Sequence, residues 1–457
     1  VDTQQLSALH QSLQHLVQQG FSVWMTGVLA LRLALEAPPP AGGPLTVVIA
    51  GQVRDRAAVD AAAQWPADLM GRLQLVFVPP GRDRDAALVS WLASQPVRSH
   101  AVAMAPDGTV VLPPDSAGLL DQAREGRLRL RGDLRASYGQ DPAACLHIAI
   151  AAGRSGLVPG PELSRAIQRE PATVLSVPAA ERGVLFGEVL LGEYAAVGLT
   201  YLQQSGVLGV LLPEVTALVD FHKSCPVHHK DIWDHTLQVV EKCPFTLSVR
   251  WAALMHDAGK VATRTVQKGK VHFFRHEELG ALLMQGVAAR FALPQALGER
   301  VCYIIANHAR ANVYASDWTD SAVRRLIRDM GPHLDDVLAF SRSDWTTKRA
   351  GRIAEVKSLA QELAERIPTI AAEDAKVPPL PKGLGTAIMQ ETGLGAGPWL
   401  GQVQQWLQVE CDAGRLAPLQ EPAYYLAAVR AGAPELLAID PQAVRQRTPK
   451  PGRVQGN

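Results

Sequence analysis

Cysteine is scarce in this sequence, and its spacing suggests no pairing. The five residues Cys145, Cys225, Cys243, Cys302 and Cys411 form no C-x-x-C motif. That excludes a disulfide scaffold or a zinc ribbon and predicts a reducing, cytoplasmic setting. An excess of one charge is also missing, because 45 Lys and Arg stand against 44 Asp and Glu, a formal charge of +1. A uniformly basic coat for nucleic acid is therefore excluded, although a local patch is not. No apolar run reaches the ~18–20 residues of a spanning helix. The opening VDTQQLSALHQSLQHLVQQG has neither the basic start nor the apolar stretch of a secretory signal. A soluble chain with no membrane partner is expected. Oligomeric state is not readable from these features.

What is present is a globular composition, with 47% hydrophobic and 19% charged residues. A length of 457 residues allows about two to four domains. Leu6, Leu9, Leu13, Leu16 and Val17 have helical spacing up to Gly20. Residues 21–25 read as a strand, and 28–35 as a second apolar helix. LTVVIA (45–50) and LQLVFV (73–78) read as buried strands with a helix between them, and Pro106-Asp107-Gly108 joins a hairpin. From about 139 onward the periodicity is helical. The fold class predicted is α+β, a small mixed α/β head followed by a large all-α region. The predicted segments are a head (1–135), a helical neck (136–215), a histidine-rich domain (216–355), a helical tail module (356–445) and a disordered tail (446–457).

Nine of the 13 histidines fall between 221 and 352, where 19 Lys and Arg outnumber 13 Asp and Glu. Histidine and positive charge concentrated in one helical segment suit a site for a metal ion and a phosphorylated substrate. His235 lies in DIWDHTLQVV, His256-Asp257 in WAALMHDAGK, His276 in FFRHEELG, His308 in IIANHAR and Asp344 in FSRSDWTTK. A divalent ion is best held by imidazole nitrogens and carboxylate oxygens brought from several stiff elements. The adjacent His256-Asp257 pair offers two ligands from one helix end, and His235 and Asp344 can close the ring. Gly259 ends that helix and leaves Lys260 beside the ion, where an ammonium can hold a phosphate. His222, His228, His229, His272 and His333 read as ordinary core or surface histidines, with His228 or His229 able to line the pocket.

These residues carry a resemblance. Segment 221–352 resembles the HD-domain metal-dependent phosphohydrolases, whose pattern is His…His-Asp…Asp. It is most similar to the HD domain fused to bacterial CCA-adding enzymes and poly(A) polymerases. The words that carry the likeness are LLPEV (211–215), HHKDIWDHTL (228–237), LMHDAGKVATRT (254–265), FFRHEELGALL (273–283), IIANHAR (304–310) and VRRLIRDMG (323–331). Residues 381–416 resemble the tail of those enzymes, and Gln140-Asp141-Pro142 and Glu181-Arg182 sit where they carry neck words. The resemblance implies a nucleotidyltransferase-like head with a degenerate site. Family heads carry a Gly-Gly turn and an Asp-x-Asp strand that binds magnesium. Here the turn is replaced by MTGVLALRLAL (25–35), and Thr46, Val47 and Val48 stand on the second strand. The stretch AGQVRD (50–55) imitates the turn, and Asp83 with Asp85 imitates the acidic pair, but in a loop.

The resemblance further implies one or two divalent ions (Mn, Fe, Co, Ni, Mg or Zn). His235, His256, Asp257 and Asp344 would hold the first, and Asp257 with His276 and His308 the second. Asp257 and Lys260 are the expected catalytic residues. Lys260, Arg264, Arg275 and Arg310 are the expected contacts to the substrate phosphate. The activity implied is hydrolysis of nucleotide or RNA-end phosphoesters, such as a 2′,3′-cyclic phosphate or a 2′-phosphate. The partner would be a nucleotide or an RNA 3′ end, with tRNA a candidate. The alternatives are a non-catalytic RNA-binding module and a residual CCA or poly(A) nucleotidyltransferase.

Overall fold

The computed structural model describes residues 2–41, 44–51, 56–78, 84–95, 97, 100–130, 132–224, 231–310, 313–345, 350–374 and 379–438. The expected AGQVRD turn (from residue 52), Asp83, His228, His229 and the tail from 446 fall outside them. Two compact units divide the chain, Val1–Glu365 and Arg366–Asn457.

The first unit begins as a mixed α/β layer. Helix α1 (Thr3–Gln18) precedes strand β1 (Ser22–Thr26), helix α2 (Gly27–Ala34) and strand β2 (Leu45–Ala50). Helix α3 (Arg56–Ala63) leads to β3 (Leu73–Val78) and α4 (Arg84–Ser94), and β4 (Ala103–Met104) pairs with β5 (Val110–Val111). The sheet order is β3-β2-β1-β4-β5, with only β2 and β3 parallel. Strand alternation sorts the core. Val23, Met25, Val47 and Ile49 pack with Leu9, Leu13 and Leu16 of α1, while Trp24 and Val48 pack with Leu88 and Leu92 of α4 on the other face. Asp85, expected in a loop, lies instead within α4.

The rest of the first unit is mostly helical, with two short two-stranded sheets among the helices: α5 (Ala144–Ser155), α6 (Ala179–Leu190), α7 (Ala195–Gln204), α8 (Ile232–Lys242), α9 (Leu247–Met255), α10 (His276–Arg290), α11 (Gln295–Asn307), α12 (Asp320–Met330) and α13 (Leu334–Ser343), with the start of α14 (Ala350–Asp374). The fold class is thus a mixed α/β head followed by a large helical region. Helix α9 is its axle, with Trp251, Ala252, Ala253, Leu254 and Met255 all inaccessible. Trp251 stacks on Phe186 of α6, ring centroids 5.1 Å apart, and meets Phe291 edge-on at 5.3 Å. Arg250 is buried, and its guanidinium donates to the carbonyls of Leu190 and Gly192 at 2.5 Å and of Cys243 at 3.0 Å. Those carbonyls lie at or just beyond the C-terminal ends of α6 and α8, where helices leave acceptors unpaired. One side chain therefore ties three helices together at the end of α9 opposite His256.

In the second unit, α15 (Leu384–Thr392), α16 (Pro398–Asp412) and α17 (Pro422–Gly432) enclose Trp399, Val403, Leu407, Tyr425 and Val429. No helix among the described residues is long and apolar enough to cross a membrane.

Candidate metal centre

Five helices deliver the predicted ligands to one place, most of them at their ends. Asp231 caps α8, accepting from Asp234 N, and His235 lies in the turn that follows. His256 is the residue after α9, and Asp257 follows it. His276 begins α10, while His308 and Asp344 are the residues just past α11 and α13. His235 Nε2 lies 3.1 Å from Asp344 Oδ1 and 3.3 Å from His256 Nε2. His256 Nε2 is 3.3 Å from Asp257 Oδ1, and His276 Nε2 is 3.9 Å from that same oxygen. The donor atoms form two sets that could each hold an ion, His235–His256–Asp257 and Asp257–His276–His308, sharing Asp257.

The imidazoles are oriented by their own helices. The Nδ1 atoms of His256, His276 and His308 lie 2.9, 2.9 and 2.7 Å from the carbonyls of Ala253, Phe273 and Ile305. Only an Nδ1–H can make that contact, so in the neutral ring Nε2 carries the lone pair, and it points to the shared centre. Sequence reasoning missed these carbonyls, although each stands three residues before its histidine. It also missed Phe340, which packs edge-on against His256 and His308 with centroids 5.3 and 5.5 Å away.

A close backbone approach completes the centre. A Cβ at Gly259 would lie 2.2 Å from the carbonyl oxygen of His276 and 2.9 Å from Gly280 N. Only glycine lets the turn after Asp257 rest against the start of α10.

The electrostatics fit a cation. Lys260 Nζ lies 2.7 Å from Asp257 Oδ1 and 2.8 Å from Oδ2, its hydrogen bond directed at Oδ2. Oδ1 is buried and makes no well-directed hydrogen bond among the described residues, although Lys260 Nζ and His256 Nε2 stand 2.7 and 3.3 Å from it. A buried carboxylate oxygen left in this way fits a ligand atom better than a structural one. Burial pushes Asp257 up, but His256 and Lys260 outweigh it and hold the carboxyl well below its ordinary range. Asp344 is likewise held low: burial opposes, and the hydrogen bond from His235 and the charge of His256 prevail. Burial lowers His308 to about 4, helped by the charge of His256, so it is neutral near pH 7. His256 is raised despite its burial by the charges of Asp257 and Asp344.

These shifts set the direction of the pH dependence. The His256 pairing stabilises the ion-free fold below the unfolded value of about 6.5 and is lost as pH rises through the raised one. The two depressed carboxylates contribute above about pH 4 and lose that contribution as the pH falls through their lowered values. An ion must displace the His256 proton. Affinity is therefore expected to rise by up to about tenfold per pH unit until His256 is deprotonated. Calorimetry in two buffers of different ionisation enthalpy would register proton release on ion binding that shrinks as the pH is raised.

The expected phosphate contacts divide. Lys260 stands in the centre. Arg264 donates to Ser224 Oγ at 2.6 Å and lies over the Phe221 ring. Arg275 is engaged by Glu278, and Arg310 reaches Asp329 at 2.7 Å. Each of these three guanidiniums has a neighbour as partner, which spacing along a sequence does not reveal.

The HD-domain family model matches residues 232–335. The chain carries an HD domain. All the candidate ligand residues named above fall inside the match except Asp344. Over its wider length the chain is related to tRNA nucleotidyltransferases. It is 29% identical over 279 residues to the CC-adding tRNA nucleotidyltransferase of Thermus thermophilus, covering 59% of this chain and 60% of that protein. It is 26% identical over 275 residues to the A-adding tRNA nucleotidyltransferase of Deinococcus radiodurans, covering 59% and 58%. The chain thus spans about three-fifths of the length of these curated relatives. Among solved structures, the Bacillus stearothermophilus CCA-adding enzyme in complex with CTP aligns over 95% of this chain and 100% of its own, with a TM-score of 0.49 and 15% identity.

In the head, Thr26, Thr46 and Gln74 stand side by side in register across β1, β2 and β3. They line a cavity of 330 Å³ together with Trp91, Gln95, His100, His147 and Arg154, and among the described residues that line it there is no carboxylate.

Proposed function

We propose that the HD domain is a metal-dependent phosphohydrolase acting on nucleotide or RNA-end phosphoesters, such as a 2′,3′-cyclic phosphate or a 2′-phosphate. The observation that carries this reading is the pair of donor sets meeting at Asp257. His235, His256, Asp257 and Asp344 would hold one divalent ion, and Asp257, His276 and His308 a second. Imidazole and carboxylate together admit Mn, Fe, Co, Ni, Mg or Zn. Such an ion, when bound, supplies Lewis acidity and makes hydroxide available near neutral pH. The chain's own residues do the rest. The carbonyls of Ala253, Phe273 and Ile305 hold three rings in one tautomer. Lys260, partly exposed beside Asp257, supplies positive charge to the substrate phosphate and to the charge that grows on it in the transition state.

A second reading is nucleotide addition to an RNA 3′ end by the head, with tRNA as partner. It is supported by the relatives, whose names describe tRNA nucleotidyltransferases and mention no hydrolysis. Against it stands a cavity whose described lining has Thr46 and Gln74 side by side and no acid.

One experiment separates the readings. The metal-loaded chain is assayed with 2′,3′-cyclic nucleotides, with and without a chelator, and in parallel with tRNA and labelled CTP or ATP. Chelator-sensitive hydrolysis lost in His256→Ala is the expected result. Label incorporation lost in Asp83→Ala or Asp85→Ala would install the second reading. If neither activity is found in a chain that binds metal, the ion serves an RNA-binding module.

A further inference from the structure

Between Lys260 and His276 the chain makes a hairpin that no periodicity announces. Strands β6 (Arg264–Gln267) and β7 (Lys270–Phe273) pair antiparallel around Lys268 and Gly269. Both turn residues have positive φ, 50° and 71°, the two-residue turn that suits the twist of such a ribbon. Partners directly opposite share a face, so Arg264 with Phe273 lies on one side, and Thr265 with His272 on the other. Phe273 and Arg264 meet the protein: Phe273 packs on the cluster of Leu218, Phe221 and Ile232, and Arg264 covers Phe221. The other face carries an unusual feature. The rings of His272 and Phe274 stack with centroids 5.1 Å apart and planes within 5°. Phe274 is 56% exposed, more than Phe245 at 43% or Tyr424 at 39%.

The charge around this pair is of one sign. From 261 to 276 the sequence has Arg264, Lys268, Lys270 and Arg275 and no acid. Lys268 and Lys270 are exposed. The nearest acids along the chain are Glu277, beside the His276 ring, and Glu278, which Arg275 engages. The hairpin also borders the metal centre. Lys260 Nζ lies 5.5 Å from the Phe273 ring centre, and Phe273 O accepts from His276 Nδ1. Phe274 is two residues from His276, so their Cα atoms are at most about 7 Å apart.

We propose that this hairpin is a base-stacking platform that makes the HD centre selective for the end of a single-stranded polynucleotide, RNA in the reading above, over a free nucleotide. A terminal base splayed out of a strand stacks on the exposed Phe274 ring, extending the His272–Phe274 stack. Lys268 and Lys270 meet backbone phosphates upstream of it. The terminal phosphoester is thereby held toward Lys260 and Asp257. Stacking on an aromatic with cations beside it is how single strands are gripped without sequence readout. The proposal rests on the phosphohydrolase reading for its chemistry and on the hairpin alone for its binding.

The test uses the full chain and a short 5′-fluorescein single-stranded RNA ending in a 2′,3′-cyclic phosphate, followed by anisotropy and by turnover. Phe274→Ala is expected to weaken binding about tenfold, within the range measured for a lost base stack. Phe274→Trp is expected to retain it. Lys268→Glu with Lys270→Glu flattens the salt dependence of RNA binding. Metal content and melting temperature hold in all variants. Unchanged RNA affinity in Phe274→Ala overturns the platform, as does duplex RNA binding as tightly as the single strand. Loss of metal from Phe274→Ala overturns it too, because the side chain would then be structural. If no variant or wild-type chain hydrolyses either substrate while Phe274-dependent RNA binding persists, the platform stands and the phosphohydrolase reading falls. Hydrolysis with Phe274-independent binding removes the platform and keeps the phosphohydrolase reading.

Discussion

Asp257→Asn is expected to lower phosphoester turnover by on the order of 10³-fold, the scale of removing a charge-stabilising group from a reacting centre. The carboxylate belongs to both donor sets, so one substitution damages both. The amide keeps the shape but loses the charge and one acceptor oxygen. It also leaves Lys260, whose Nζ sits 2.7 and 2.8 Å from the two oxygens, without its counter-charge. His256 loses the first of the two charges that raise its pKa and moves toward a neutral ring. Metal analysis after dialysis should show reduced occupancy, with far-ultraviolet circular dichroism unchanged. An Asp257→Asn chain that hydrolyses 2′,3′-cyclic nucleotides at the wild-type rate would remove the centre from the mechanism.

Gly259→Ala should act through packing and reach the same site. The added methyl would lie 2.2 Å from a backbone oxygen and 2.9 Å from a backbone nitrogen. Neither atom is the free end of a flexible side chain, so α10 must move away from the turn after Asp257. The cost is about 3 kcal/mol, the upper part of the range for overpacking a tight contact. Chemical denaturation would read it directly. The shift also withdraws His276 from Asp257, because His276 is the residue whose carbonyl is struck. Metal affinity should therefore fall along with stability. Gly286→Ala, at an exposed position inside α10 where a Cβ meets nothing within 4 Å, should leave metal affinity unchanged and raise stability by up to about 1 kcal/mol, and serves as the control.

Much of the centre is legible before folding. The helices from 232 onward follow apolar residues spaced for burial, and the periodicity of WAALM already marks α9 as a buried element. The donors are legible as well, because His and Asp at helix ends, among excess positive charge, have few other shared uses. The arginines are not. Arg264, Arg275 and Arg310 look alike in sequence, and only the folded chain shows that each guanidinium already has a partner. The hairpin between Lys260 and His276 is hidden for another reason. RTVQKGKVHFF has weak alternation and a turn whose first residue is lysine, so local propensity does not declare it. His272 reads as an ordinary surface histidine until it is found stacked on Phe274.

By itself, the sequence determined the chemistry available: which candidate donors exist, which helices carry them, and that Thr46, Val47 and Val48 stand on the second strand of the head. Those properties are local, set by residue type and by spacing within a few turns. The tertiary structure alone decided that residues 235 and 344 meet, that Gly259 lets two helices touch, and that one exposed aromatic pair borders the centre. Contacts between residues so far apart in sequence depend on side-chain packing across several helices. No single segment contains the information to specify that packing.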